Sequence, residues 1–467
     1  MNENNNIRPF GFRDKIAYFA GDFGNNFLFM LAGSYLMVFY MRVLGINAAI
    51  IGTMFVVARF IDAFTDFTMG GVVDRVKPTK DGKFRPWIKR VCGPVALASF
   101  LMYQSGLADA SMTLKIIYMF VTYILFGSIC YTAINIPYGS MASAITSNPK
   151  ERSSLSTFRS LGGTFSSIIV SIIAPQLIFY VDANGNQLVN SNGFMLAAGI
   201  FSVLALISYI ICYTLTTERV KIEINSSQKK LSFIEILKEI GTNRAFFALL
   251  ASSIVLLLAT MMSQSTNAFL YADYFSNKNA LSARGLIGIP ITLVIATVTA
   301  TISGKFGKKE ASVAGMLFTG IAYVVIFFLG IENAWVFLGL TIVAGIGMTY
   351  FNMVTWAMVT DVIDYQEIKT GTRSDGMIYG AYSLARKIGQ ALAGGIGGFA
   401  LAAIGYDQTA KVQTEAVKHG IYSISTIWMG LFFIVVALIL LFIFPLNKKT
   451  VDQNAAELEN RRATAEI

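Results

Sequence analysis

One histidine and three cysteines in 467 residues leave little with which to bind a transition metal or close disulfides. His419 stands alone in the loop before the last apolar run, with no second histidine and no cysteine nearby, which excludes a His/Cys metal centre. Cys92, Cys130 and Cys212 fall within or at the ends of apolar segments, where they read as small buried residues rather than as a disulfide. Nucleophile elbow, phosphate-cradling loop and His-centred constellation are all missing, so the chain does not read as an enzyme and calls for no cofactor. Charged residues make up only 14% of the chain. The N-terminal stretch MNENNNIRPFGFRDK is polar and lacks the apolar core and small-residue cleavage site of a signal peptide.

What the chain has is apolar surface. Hydrophobic residues account for 55%, phenylalanines number 36, and the mean hydropathy is +0.59, which together describe an all-α integral membrane protein. Hydropathy places spans near 16–41, 48–73, 91–108, 116–145, 158–181, 194–217, 245–270, 285–303, 311–331, 335–362, 376–404 and 421–446. An even count of twelve puts both termini on one side. Lysine and arginine concentrate on that side, above all in 74–91 and 218–244, and the positive-inside rule then predicts cytoplasmic termini and a cell-membrane location. The net charge of +10 is this topology plus attraction to the anionic bilayer, not a nucleic-acid footprint.

Two carboxylates interrupt the second span. Asp62 and Asp66 are four residues apart and share one helix face, with Arg59 three residues earlier on the same face. An ionisable group at mid-membrane depth costs roughly 2.5 kcal/mol or more, so such groups face an internal cavity and mark an ion or substrate path. Together they predict a cation site, which would be a metal site if the ion is sodium. Arg159, Arg386 and Lys387 also fall inside spans, each either functional or snorkelling toward the interface. Arg386 reads as structural, Arg159 and Lys387 as functional.

The basic segment 218–244 separates six spans from six. This predicts an N-terminal six-helix bundle (1–217), a cytoplasmic central loop (218–244), a C-terminal six-helix bundle (245–446) and a cytoplasmic tail (447–467) that is an exposed end. Each half carries a short basic loop at a comparable place, Gly82-Lys-Phe-Arg-Pro-Trp87 and Gly304-Lys-Phe-Gly-Lys-Lys309, which points to the major facilitator arrangement with a midplane site between halves. Polar clusters interrupt span 1 (Gly21-Asp-Phe-Gly-Asn-Asn26) and span 4 (Tyr131-Thr-Ala-Ile-Asn-Ile-Pro-Tyr138). Asparagine suits a polyhydroxyl ligand but also cross-links helices. Tyr131 and Tyr138 offer faces on which sugar rings stack, and Pro137 frees carbonyls by breaking the backbone ladder.

Asp62-Ala-Phe-Thr-Asp66, Gly82-Lys-Phe-Arg-Pro-Trp87, Asn135-Ile-Pro-Tyr-Gly-Ser140, Asp361-Val-Ile-Asp-Tyr-Gln-Glu367 and Arg386-Lys-Ile-Gly-Gln390, in this order, resemble the glycoside-pentoside-hexuronide:cation symporter family from about residue 12 to 446. The resemblance implies the major facilitator fold and sugar uptake coupled to sodium, lithium or proton. Matched by position to the melibiose carrier of that family, Asp62, Asp66 and Thr132 fall on its cation site, Arg159 on its buried span-5 arginine and Lys387 on its span-11 lysine. Its sugar-binding aspartates of spans 1 and 4 look replaced by Asn26 and Asn135, and its stacking tryptophan by Gly139. These departures speak against an α-galactoside and look more like the glucuronide carriers, with the xyloside carriers similar.

The candidate substrate set is therefore Asp22, Asn25, Asn26, Tyr131, Asn135, Tyr138, Arg159, Trp356 and Lys387. Neutral amides near Arg159 and Lys387 would leave buried cations that an anionic substrate completes, which favours a hexuronide. If Asp22, Asp62 and Asp66 already balance them, a neutral pentoside fits instead. Related lysolipid symporters keep a lipid substrate in view. Asp361, Asp364 and Glu367 read equally as a solvated helix end and as an inner gate. A monomer is expected, with glycoside, coupling cation and bilayer as its partners.

Overall fold

The computed structural model describes residues 8–220, 243–371, 378, 381–382, 385–386, 389–390 and 393–465. Apart from one short β-hairpin, these residues are helical or connect helices. The helices are α1 (Phe12–Val38), α2 (Ala48–Arg75), α3 (Arg85–Leu101), α4 (Met112–Ile124), α5 (Thr132–Ser140), α6 (Ala142–Ile145), α7 (Pro149–Ile178) and α8 (Ser191–Leu215). They continue with α9 (Arg244–Phe269), α10 (Lys278–Phe306), α11 (Lys308–Leu329), α12 (Ala334–Ala344), α13 (Ile346–Thr370), α14 (Ile396–Ala403), α15 (Glu415–Ser423), α16 (Met429–Phe442) and α17 (Lys448–Ala465). Strands β1 (Phe179–Val181) and β2 (Gln187–Val189) pair antiparallel between α7 and α8. Nine helical segments among the described residues are long and apolar enough to cross a membrane. The expected span 376–404 lies partly outside the described residues.

Helix starts follow from caps written in the loops. Asn47, Asn148 and Asn333 each accept a hydrogen bond from the backbone two residues on, at 2.9 Å in all three cases, and Pro149 at the first position of α7 donates nothing that needs a partner. α7 accordingly begins at Pro149 rather than near 158, and α13 runs on to Thr370. Low hydropathy in those end turns hid them, although their helical hydrogen bonding is regular.

The chain groups into two compact units. The first holds residues 1–228, 267–286 and 401–414; the second holds 229–266, 287–400 and 415–467. In the first, α1 packs along α7 and α8, and α3 packs on α8. In the second, α11 packs against α16 and α13. Phe60, Phe64 and Phe67 are 57%, 71% and 80% exposed along one face of α2, opposite its aspartates, as a lipid-facing stripe requires.

The two basic loops are held by carboxylates. In the first unit, Glu218 accepts hydrogen bonds from the backbone N–H groups of Lys83 (2.7 Å), Phe84 (2.9 Å) and Arg85 (2.8 Å), the orphan donors at the start of α3. Next to it, buried Asp14 pairs with Arg8 at 2.7 Å and Arg219 at 2.9 Å. In the second unit, Lys308 of the other basic loop pairs with Asp361 at 2.6 Å, so Asp361 is engaged within its own unit. α17 is not the free tail expected from its polar sequence: it lies on α13 and α11, Leu458 is buried, and the Lys448 backbone N–H donates to Glu310 at 3.0 Å.

α1 and α9 end alike. Each runs into a π-helical turn, Phe39–Val43 and Leu270–Tyr274, and each is closed by the same pair of backbone bonds: Leu44 to Phe39 and Ile46 to Tyr40, then Phe275 to Leu270 and Asn277 to Tyr271. Each then takes one residue through positive φ, Gly45 at 69° and Ser276 at 48°. Arg42 and Asp273 occupy equivalent places in these turns, 231 residues apart, and form an ion pair. Arg42 also donates to the Ala410 carbonyl and lies over the Tyr406 ring, while the Tyr406 hydroxyl donates to Asp273 at 2.7 Å. Both charges are buried, the cation 9% and the carboxylate 5% exposed, and each is met by more than one partner.

Candidate cation and substrate site

The two aspartates of α2 face a matched pair of hydroxyls. Ser128 Oγ donates to Asp62 Oδ1 at 2.5 Å and Thr132 Oγ1 donates to Asp66 Oδ1 at 2.8 Å. Ser128 and Thr132 are four residues apart, like the aspartates, so two helix faces of the same period meet. Ser128 lies in the π-helical turn Leu125–Tyr131 between α4 and α5. Such a turn interrupts the regular i to i−4 ladder, and Pro137 within α5 removes another donor from it. Arg59 Nη1 reaches Asp62 Oδ2 at 3.4 Å. Several carboxylate and hydroxyl oxygens on neighbouring helices are a hard donor set suited to a small cation or a shared proton.

A second polar cluster stands on α1, α5 and α7. Arg159 Nε donates to Asp22 Oδ1 at 3.0 Å, and Asn26 Nδ2 donates to Asp22 Oδ2 at 2.9 Å. The Arg159 side chain remains 40% exposed. Space for this trio comes from Gly163 on α7: a Cβ there would lie 2.8 Å from Asp22 Oδ2 and 2.9 Å from Asn26 Nδ2. Asn135 on α5 accepts from Asn25 at 3.4 Å, and Asn25 in turn accepts from Tyr209 at 2.8 Å. Asn25 is buried, so it bridges α1, α5 and α8, the cross-linking use of asparagine.

The aromatic candidates divide. Tyr131 is half-buried, with Phe29 stacked at 6.1 Å. Tyr138 is buried: Tyr18 stacks on it at 4.8 Å, Arg159 lies over its ring at 5.3 Å, and its hydroxyl donates to the Tyr18 carbonyl at 2.6 Å. Its faces are covered by protein, and its place is that of a wall behind Arg159. Trp356, in the second unit, is 39% exposed, with Tyr382 edge-on at 5.3 Å and Arg386 over its ring at 5.5 Å. Lys387 lies outside the described residues.

The charge balance differs from the one that favoured an anionic substrate. Arg159 has its carboxylate in Asp22, four residues before the asparagine taken to replace it. The premise of an uncompensated buried cation therefore fails at Arg159.

Residues 17–448 match the family described as MFS/sugar transport protein. The chain belongs to the MFS/sugar transport family. Its major facilitator fold is accordingly shown, as is its nature as a multi-pass membrane transporter and not an enzyme. This MFS/sugar transport protein is 30% identical over 457 residues to a glucuronide carrier protein homolog of Escherichia coli (strain K12), covering 96% of each chain. It is 28% identical over 453 residues to an isoprimeverose transporter of Lactiplantibacillus pentosus, covering 96% of this chain and 92% of the relative. Among solved structures it resembles a D-xylose-proton symporter with a TM-score of 0.64 at 15% identity, over 93% of this chain and 98% of that one. These relatives fit the glycoside-pentoside-hexuronide:cation symporter resemblance and support sugar symport in general.

Sequence reasoning missed Ser128 and the Arg42–Asp273 pair, and gave Gly163 no functional role beyond the tight helix crossing that small residues permit. Ser128 had a signal, since its spacing to Thr132 repeats that of Asp62 to Asp66. The other two depend on which helices cross, which no local pattern carries.

Proposed function

We propose that this protein imports a glycoside by cation-coupled alternating access across the cell membrane, with both termini cytoplasmic and the monomer as the working unit. The observation that carries the reading is the paired contact of Asp62 with Ser128 and Asp66 with Thr132 beside the Asp22–Asn26–Arg159 cluster. Two adjacent carboxylates with hydroxyl partners offer the oxygen donors that sodium or a proton takes. Cation binding then tightens sugar binding, and by reciprocity the sugar tightens the cation by the same factor. With the charge neutralised, the halves rock and present the site inward.

For the substrate, the self-balanced Asp22–Arg159 pair supports a neutral glycoside, such as a xyloside, read by amide and hydroxyl groups. A hexuronide is the second reading, supported by the 40% exposure of Arg159, since guanidinium can still take a carboxylate, and by the name of the glucuronide relative. In either case Asp22, Asn26, Asn135 and Arg159 contact the sugar, Asn25 and Tyr138 support them, and Tyr131, Trp356 and Lys387 complete the set.

The test is uptake and counterflow of labelled methyl β-xyloside and methyl β-glucuronide in proteoliposomes, with sodium and proton gradients imposed separately. Accumulation against a gradient that Asp62→Asn abolishes is expected. Uphill accumulation left intact by Asp62→Asn would overturn the coupling mechanism. Competition of uptake by lysolipids but not by sugars would replace the glycoside by a lipid.

A further inference from the structure

The first compact unit is more than the first half of the sequence. It also takes in 267–286, which holds the end of α9 and the start of α10, and 401–414, which holds the end of α14 and the loop after it. Polar bonds fasten these segments to the first half. Gln176 of α7 donates to Asn279 and to Ser282 of α10, both at 3.1 Å. The Ser282 hydroxyl donates to the Ile172 carbonyl at 3.3 Å, and the Lys278 ammonium donates to the Phe179 carbonyl at 2.9 Å. A Cβ on Gly285 would run into the Ser171 side chain, so α7 and α10 approach closely here. The Arg42–Asp273 ion pair, with the Ala410 carbonyl and Tyr406, joins the end of α1 to both added segments.

The place of that ion pair and its energetics both bear on what it does. Arg42 and Asp273 hold equivalent places in two repeats, and residues so related touch each other only near the axis that relates the repeats. In the major facilitator fold this axis runs along the membrane normal, and the substrate path lies between the halves around it. The pair therefore stands across the path. Arg42 lies twenty residues beyond Asp22 along the chain, roughly 30 Å at 1.5 Å per residue, so the pair is clear of the Asp22–Arg159 cluster. The Coulomb gain of a buried ion pair is largely offset by the desolvation of its charges, so admitting water to both at once costs little. Such a pair fixes which surfaces meet without holding them together permanently. Beside it, Gln176 and Asn279 are exposed and joined by a single hydrogen bond, a contact that also parts easily.

We propose that Arg42, Asp273 and Tyr406 form the outer gate of the transporter, closed in this structure, and that their ion pair sets how much of the protein rests closed on that side. The proposal rests on the reading of the protein as a glycoside importer whose ends away from the termini face outward. Opening exposes both charges to water together, and reclosing behind a bound sugar buries them again.

The test links this end shut. Full-length protein carrying Gln176→Cys and Asn279→Cys is reconstituted in proteoliposomes and cross-linked with a short, reducible bis-thiosulfonate. Uptake of labelled methyl β-xyloside and methyl β-glucuronide is measured before linking, after linking and after reduction. Cys130 and Cys212 are buried and Cys92 is half-buried, and wild type treated alike controls for them. Linking should lower uptake by about tenfold or more, and reduction should restore it, whereas a contact that stays closed through the cycle would tolerate the link. Uptake unchanged by linking would overturn the gate. Arg42→Gln in the same background should slow cross-linking by about threefold or more, because the closed state is then less populated. Arg42→Lys, which keeps the charge, should fall between the two, and this ordering guards against a merely misfolded glutamine variant. Cross-linking as fast in Arg42→Gln as in its parent would overturn the ion pair as the element that holds the gate. Absence of uptake of both sugars by untreated wild type would overturn the glycoside reading and, with it, the gate.

Discussion

Gly163 on α7 faces Asp22 on α1 so closely that a Cβ at this position would sit 2.8 Å from the Asp22 carboxylate. At the neighbouring Gly162 a Cβ would run into the Phe19 backbone carbonyl. One glycine lets the helix backbones approach, and the next makes room for a polar cluster. Gly163→Ala should therefore displace Asp22 and Asn26 and lower kcat/KM for sugar by about ten- to a hundredfold. Gly162→Ala should act mainly on stability. Transport kinetics and thermal unfolding of the two variants separate the effects.

Ser128 and Thr132 should tune the cation rather than the sugar. Ser128→Ala leaves Asp62 without its hydroxyl donor, and Thr132→Ala does the same to Asp66. Loss of one hydrogen bond to a charged group is worth about 1.5–3 kcal/mol, which converts to a tenfold or greater change in cation affinity. Sugar uptake titrated against sodium and against pH should show a shifted half-saturation for the ion. An unchanged ion dependence in both variants would remove the hydroxyls from the site.

Arg159 and Asp22 should be coupled in stability. Removing either alone leaves a partly buried charge without its partner, so Arg159→Gln and Asp22→Asn should each destabilise, and the double variant should cost less than their sum. Because Arg159 is 40% exposed, the coupling should be modest, about 1 kcal/mol. A double-mutant cycle on thermal unfolding measures it.

The turn between β1 and β2 should open in acid. Asp182 accepts from the backbone N–H groups of Asn184 at 3.0 Å and Asn186 at 2.8 Å, and these bonds hold its carboxyl below the usual carboxylate range. A carboxylate whose folded pKa is depressed stabilises the fold above its unfolded pKa, and that contribution is lost as pH falls through the folded value. Amide exchange at Asn184 and Asn186 should accelerate below the normal titration range of aspartate, beyond the intrinsic pH dependence. Asp182→Asn should remove that step.

Leu458 should anchor α17. It is 4% exposed in a helix that is otherwise polar. Leu458→Ala should destabilise the second unit by about 2 kcal/mol or more through the lost contact and the cavity left behind. Limited proteolysis of the tail should become faster in that variant.

The membrane-crossing helices among the described residues, and the shared face of Asp62 and Asp66, were legible in the sequence because both rest on local spacing: long apolar runs for one, two aspartates a helical turn apart for the other. The early start of α7 was marked by Asn148 and Pro149, but Lys150, Glu151 and Arg152 lowered the hydropathy of its first turns. α17 was hidden for the same reason, its single buried leucine being too little to form an apolar stripe. Asp22 was visible as a polar residue in span 1, yet its partnership with Arg159 depends on α1 crossing α7 at Gly162 and Gly163. Tyr138 looked like a sugar-stacking face until packing placed Tyr18 and Arg159 against it. Relations between distant helices are set by packing, and a single chain read alone does not carry them.

Arg42 and Asp273 close equivalent turns of two repeats with opposite charges. A dimer built from two copies of either repeat could not reproduce this contact, because its symmetry would set arginine against arginine or aspartate against aspartate. The contact exists only because two turns of one backbone form carry opposite charges at the same place.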